Sequence, residues 1–418
     1  MMKVIGDPDD KERSFIYLDN ALYFEPIEHT IPIHWSGHIM MSKIDEELVE
    51  RAYNGKTSID DALLLLDTEP FELFRFADNL RYEAVGDITT YVVNRNINFT
   101  NRCVGTCGFC AFKEKNGYIL STEEILAKVE EAHKAGATEV CIQGGLLPNA
   151  GLELYTGILE AVKEAYPSIH IHAFSPMEVY HAARTSDLSI RQVLSELKKS
   201  GLGTMPGTAA EILCDHVRRE LCPDKLLTAE WRDVVTSAHS TGIRTTSTMM
   251  YGHIESWQDR IEHMMILRDI QKDTGGITEF VPLPFMPYNN PIGKKMIEEG
   301  HYATTGIDDL KVYALSRIIF HRHIKNIQTS WVKLGKKLAQ VALYCGANDL
   351  GGTLMEESIS TAAGANNGTS ISVQELEWMI KGANRIPKQR TTLYEIDNMR
   401  DTSLGNRPRE ANNAAIYS

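Results

Sequence analysis

From residue 97 onward, short stretches able to form strands alternate with amphipathic stretches of roughly ten to twenty residues. The strand candidates are "INFTN", "TEVCIQ", "IHIHAFS", "LGTMP", "IRTTSTMMY", "TEFVPLPF", "NIQTSW" and, more weakly, "NDLGG". About eight strand–helix units restrict the chain to a (β/α)8 barrel or a doubly wound parallel sheet. The intervening helices carry start and stop signals. In "STEEILAKVEEAHKAG", Ser121 or Thr122 is the cap, and Glu123 and Glu124 fill the first turn. Ile125, Val129 and Ala132 share one face, and Gly136 marks the stop.

Parallel strands covered on both faces usually read as continuous apolar runs. These strands instead alternate. Val140 and Ile142 oppose Glu139, Cys141 and Gln143; Ile169, Ile171 and Ala173 oppose His170, His172 and Phe174. The apolar set fits the layer under the helices. The polar set needs hydrogen-bonding partners, because bare burial costs a few kcal/mol per group. A lumen holding a polar ligand meets that need; hydrogen-bonded core groups without a ligand are the alternative.

Residues 1–86 have a different pattern. "DEELVERAYNGKTSIDDALLLLD" reads as a helical pair with Gly55 between the helices, so the segment is expected to be an N-terminal helical extension, placed as a lid. His34 and His38 are spaced for one helix face, and ordinary histidines are the simpler reading. Residues 87–385 make the barrel and residues 386–418 a C-terminal tail. No apolar run approaches the ~20 residues that cross a bilayer, and "MMKVIGDPDDKERSF" has no signal-peptide centre. The expected location is the cytoplasm. A net charge of −13, with no basic stripe, argues against nucleic acid as a partner.

Three of the chain's 7 cysteines crowd into "NRCVGTCGFCAF": Cys103, Cys107 and Cys110. In a reducing compartment, clustered thiols point to metal or catalysis. A structural zinc needs a fourth ligand, and Cys141, Cys214, Cys222 and Cys345 are distant in the chain. Three thiolates on a 4Fe–4S cluster leave one iron open to a ligand. Gly105 and Gly108 let the loop turn tightly. A zinc loop or a simple electron-transfer cluster is the competing reading.

C-x3-C-x2-C with Phe109 before the last cysteine resembles the signature of the radical S-adenosylmethionine enzymes. The resemblance implies a TIM-type barrel and a 4Fe–4S cluster on Cys103, Cys107 and Cys110. It further implies S-adenosylmethionine on the open iron, cleaved by one electron from an external donor to a 5′-deoxyadenosyl radical. It assigns cofactor contacts to Phe109, to Gln143, Gly144 and Gly145 in "CIQGGLLPN", to Thr208 and Glu211 in "MPGTAAEIL", and to Met250 and Tyr251 in "TMMYGHIES".

From about residue 85 to about residue 395 the chain is similar to one branch of that superfamily. This branch attaches the 4-hydroxybenzyl group of L-tyrosine to C5 of 5-amino-6-(D-ribitylamino)uracil, on the route to a deazaflavin coenzyme. The implied chemistry is hydrogen abstraction from the tyrosine amino group, Cα–Cβ scission and addition of the benzyl fragment. A separate first-subunit radical enzyme would complete the product. The lumen residues His172, Ser175, Arg244, Glu279 and Gln328 are the substrate candidates, with Arg244 on the tyrosine carboxylate. Cys141 shares the lumen-facing phase of its strand, and a buried, inert thiol is the simpler reading. Radical enzymes of the futalosine route to menaquinone share "HAFSP" and the "TMMxGH" pattern; "PGTAAEI" and "GGTLMEE" favour the transferase branch. Thr106 stands where that branch is expected to carry an acid.

Overall fold

The computed structural model describes residues 3–5, 15–18, 21–24 and 44–396. His34, His38 and residues 397–418 lie outside the described residues. Strands β1 (Lys3–Ile5), β2 (Phe15–Leu18) and β3 (Ala21–Phe24) form an antiparallel sheet of their own. This corrects the helical reading of that stretch. "FIYL" and "ALYF" are runs rich in aromatic and branched apolar residues, and they pair antiparallel with Leu18 opposite Ala21.

Residues 44–86 are helical: α1 (Glu46–Tyr53), α2 (Ile59–Leu66) and α3 (Pro70–Val85). Gly55 takes φ 65° between the first two, and a Cβ there would meet His321 O at 2.8 Å. The helices pack on the outside of the barrel, against helices Trp257–Thr274 and Gly306–Phe320. Thr57 Oγ1 donates to Ile318 O at 3.3 Å and Lys311 Nζ to Leu66 O at 2.8 Å.

The barrel strands are β4 (Ile88–Val92), β5 (Asn94–Asn98), β6 (Glu139–Gln143), β7 (His170–Ala173), β8 (Thr204–Met205), β9 (Arg244–Tyr251), β10 (Ile277–Pro284), β11 (Asp349–Gly352) and β12 (Ile386–Gln389). Strands β5 to β10 form one parallel sheet in chain order. Parallel bridges at Ile327 and Gln328 link β10 to β11. β11 and β12 then flank β4, both parallel to it. Asn96 N–H donates to Leu354 O at 2.9 Å and Thr353 N–H to Val92 O at 3.2 Å, which brings the far edge round to the first. The result is an α/β TIM-type fold.

Two boundaries differ from the sequence reading. The strand read as starting at Ile97 starts at Asn94, and another barrel strand, β4, precedes it; the β-branched run "ITTYV" was its signal. β12 lies in the stretch assigned to a tail. Pro387 made it a poor strand candidate, but at a sheet margin a missing N–H is tolerated.

The helix signals translate directly. Ser121 is the cap of helix Thr122–Lys134, in a capping box with Glu124, and Ile125, Val129 and Ala132 are its buried residues. Boxes at Ser175–Glu178, Ser256–Asp259 and Thr305–Asp308 start three more helices. Val140, Ile142, Ile171 and Ala173 sit at 0 % exposure under the helices, while Glu139, Cys141, Gln143 and His172 line a cavity inside the barrel.

Candidate active site

That cavity holds about 470 Å³, in the range of small-molecule sites. The three clustered thiols line one part of it, and the polar strand faces line the rest. Residues 44–86 line none of it, so the helical part of the N-terminal segment is no lid.

The thiol loop follows β5, at the barrel face where strand ends feed loops. It is pinned on several sides. Gly108 N–H donates to Leu221 O at 3.1 Å, Ile292 N–H donates to Gly108 O at 3.2 Å, and Val104 N–H donates to Leu146 O at 2.9 Å. Thr106 Oγ1 donates to Asp224, so the acid absent from the loop arrives from another element. All three thiols are free and part-exposed. Around one tetrahedral zinc, with Zn–S near 2.3 Å, sulfurs crowd to about 4 Å. Among the described residues the metal-compatible trio within 4.8 Å is Cys214, Asp259 and Glu262, so the loop thiols are spread more widely than that. A Cβ on Gly105 would lie 3.4 Å from Cys103 Sγ and 3.9 Å from Cys107 Sγ, so both sulfurs converge on one region. The spacing of the three sulfurs is too wide for one tetrahedral ion. Burial pushes the Cys107 thiol up, and Lys225 pulls it back; a metal would remove that proton outright.

Beside the loop, Gly145 N–H donates to Thr100 O at 3.0 Å. A Cβ at Gly145 would sit 2.1 Å from Arg102 O and 2.9 Å from Cys103 Cβ, so only glycine allows this approach. Gly144 N–H donates to Glu178 Oε1 at 3.0 Å, and Ser175 N–H and Oγ–H donate to Glu178 Oε2, each at 2.7 Å. Ser175 lines the cavity, but its hydroxyl serves its own helix. Burial pushes the Glu178 carboxyl up to about 7, against the hydrogen bonds from Ser175 and Gly144. Gln143 Nε2 donates to Thr208 Oγ1 at 2.9 Å, joining two of the expected cofactor contacts.

Glu211 pairs with Lys225 at 2.5 Å, and the ammonium stands 5.1 Å from the centre of the Phe109 ring. Burial works against the Glu211 charge, but Lys225 outweighs it and holds the carboxyl below its usual range. Met250 lines the cavity, and its N–H donates to Glu211 O at 2.7 Å. Tyr251 does not line it. Strand alternation turns it outward, fully buried, with its hydroxyl donating to Asp309 Oδ1 at 3.0 Å.

The floor is charged. Arg390, just past β12, donates from Nε to Asp349 Oδ2 at 2.5 Å and from Nη2 to Glu279 Oε2 at 3.2 Å and Gln328 Oε1 at 3.3 Å. Tyr394 donates to Glu279, and Thr392 Oγ1 donates to Glu139 Oε2 at 2.6 Å. Glu279, Gln328 and His172 line the cavity as expected from strand direction. Thr204 Oγ1 lies 2.7 Å from His172 Nδ1, and burial pushes this imidazole down to about 4, so it is neutral. Arg244 is a correction: it is exposed at the entry to β9, the opposite end from the loops, and does not line the cavity. Cys141 keeps an inert thiol but stands in the lumen wall, the other position its strand phase allows. Its side chain lines the cavity, although burial pushes the thiol well up and keeps it protonated. Arg390 and Thr392 were missed because they fall in the stretch read as tail. Asn94, Asn96 and Asn98, all cavity-lining, left a visible period-two signal in "NRNIN".

A TIM-type barrel with a C-x3-C-x2-C loop at the mouth defines a radical S-adenosylmethionine enzyme. Residues 97–267 match the family model described as Radical SAM superfamily, and residues 274–403 match CofH/MqnC C-terminal region. A solved structure of methylornithine synthase shares the fold, with TM-score 0.63 at 18% identity, over 81% of this chain and 97% of that one. Within the superfamily, the chain is 69% identical to 5-amino-6-(D-ribitylamino)uracil–L-tyrosine 4-hydroxyphenyl transferase 1 of Methanosarcina acetivorans, over 85% of this chain and 95% of that protein. It is 66% identical to the transferase of Methanococcoides burtonii, over 84% of this chain and 99% of that one. The chain belongs to this transferase family. Among the described residues no helix is long and apolar enough to cross a membrane.

Proposed function

We infer that the chain transfers the 4-hydroxybenzyl group of L-tyrosine to 5-amino-6-(D-ribitylamino)uracil. The observation that carries this is one cavity lined by three clustered thiols on one side and by a polar, multiply charged floor on another, in a chain so similar to the named transferases. Cys103, Cys107 and Cys110 would hold a 4Fe–4S cluster. With S-adenosylmethionine bound, it supplies a carbon radical able to take a hydrogen atom from substrate. Gln143, Gly144, Gly145, Thr208, Glu211, Met250 and Phe109 would hold the cofactor, and Lys225 keeps Glu211 charged and placed. His172, Glu279 and Gln328 face the substrates. The electron comes from an external one-electron donor, and a separate first-subunit enzyme of the same pathway takes the product onward.

The test uses reconstituted, reduced protein under anaerobic conditions with S-adenosylmethionine, L-tyrosine and the diaminouracil. Mass spectrometry should find 5′-deoxyadenosine and a benzyl–uracil adduct, both dependent on tyrosine. Deoxyadenosine formed equally well without tyrosine would overturn the reading.

A further inference from the structure

Four lysine and arginine side chains line the cavity: Lys113, Lys225, Lys333 and Arg390. Three are engaged. Lys113 Nζ donates to Gly105 O at 2.5 Å, Lys225 is paired with Glu211, and Arg390 is held by Asp349 and Glu279. Among the described residues, no hydrogen bond or ion pair reaches Lys333 Nζ. The carboxylates whose charge it feels are Glu357 and Glu211. Both are occupied: Glu357 accepts from Asn96 Nδ2 at 2.9 Å and Ser360 N–H at 2.6 Å, and Glu211 holds Lys225.

Lys333 stands on a rigid support. It lies on the short helix Trp331–Leu334, just beyond the bridge at Gln328. Trp331 Nε1 donates to Gly352 O at 3.0 Å, and Asn367 Nδ2 donates to Val332 O at 2.8 Å. Burial holds the ammonium below the ordinary lysine range, as expected of a cation still without its counter-ion. Resting on the transferase reading, we propose that Lys333 is the binding residue for the α-carboxylate of the amino-acid substrate, the role the sequence reading gave to Arg244. A desolvated lysine is a point cation suited to a single carboxylate oxygen.

S-adenosylmethionine carries the same carboxylate chemistry, so the test separates the two sources. Oxidised holoprotein, unable to turn over, is titrated calorimetrically with L-tyrosine, with tyramine (which has no carboxylate) and with S-adenosylmethionine. The proteins are wild type, Lys333→Met and Lys333→Arg. Lys333→Met should weaken tyrosine binding by roughly 30-fold or more, the scale for removing one partner of a buried charge pair. It should leave tyramine and S-adenosylmethionine affinities within about threefold, and Lys333→Arg should restore most of the tyrosine affinity. Loss of S-adenosylmethionine binding with tyrosine unaffected, or no change in either, would overturn the assignment alone. Failure of the wild type to bind tyrosine would overturn the transferase reading and this assignment with it.

Discussion

Arg390 lies just past the last described strand, and its guanidinium lies side-on to the Asp349 carboxylate, Nε to Oδ2 at 2.5 Å and Nη2 to Oδ1 at 3.3 Å. The two side chains are 3 % and 0 % exposed. Thr90 Oγ1 donates to the same Asp349 oxygen, also at 2.5 Å. This contact ties β4, β11 and the segment after β12 together beneath the cavity. Removing one partner leaves a buried, unpaired charge, which costs about 3–5 kcal/mol. Arg390→Met should therefore lower the urea midpoint sharply. The double variant Arg390→Met/Asp349→Asn should lose less than the two single losses together. Additive losses would show that the pair is not coupled.

Gly145 makes a second prediction. A methyl group there has no room between Arg102 O and Cys103 Cβ. Gly145→Ala should displace the thiol loop and cut iron incorporation several-fold. Gly157→Ala is the control, because nothing lies within 4 Å of its Cβ position. Equal iron content in the two variants would contradict the geometry.

The cysteines separate by role. Cys107→Ala should abolish or severely reduce the iron and sulfide bound after anaerobic reconstitution. Cys141→Ala should retain both, because that thiol stays protonated in its wall. A colourless Cys141→Ala protein, or an unchanged Cys107→Ala protein, would break the assignment of the cluster to the loop.

His263 predicts part of the acid limb of stability. It is fully buried, and its Nδ1 accepts the Leu213 N–H at 2.9 Å. Burial pushes the imidazole down to about 3 from an ordinary 6.5, helped by Arg218. A lowered histidine stabilises the fold above its unfolded value. That contribution drains away as pH falls from about 6.5 toward 3, because the unfolded chain takes up a proton that the folded one refuses. His263→Gln should flatten the fall of the urea midpoint between pH 7 and 4. A slope equal to the wild type's would sink the claim.

Much of the site is legible in the chain because its signals are local. Strand period two sets Gln143, His172, Glu279 and Gln328 toward the lumen, and three close cysteines stand out without any partner. Arg244 failed on the other coordinate. Alternation tells which face a residue takes, but not how high it stands along the barrel axis, and Arg244 opens its strand at the far end. Tyr251 failed on parity, since Met250 takes the inward place beside it. Lys333 carried no spacing signal, because one lysine after a buried tryptophan and valine looks like any other.

The sequence by itself determined the strand–helix order, the helix caps, the thiol loop and the polar lining, since each depends on residues within a few positions of one another. Only the tertiary structure decided that Arg390 and Thr392 form the floor and that Asp224 serves Thr106. Those facts depend on which charges meet across hundreds of residues. Such pairings are set by closure of the barrel and by the cost of leaving a buried charge alone.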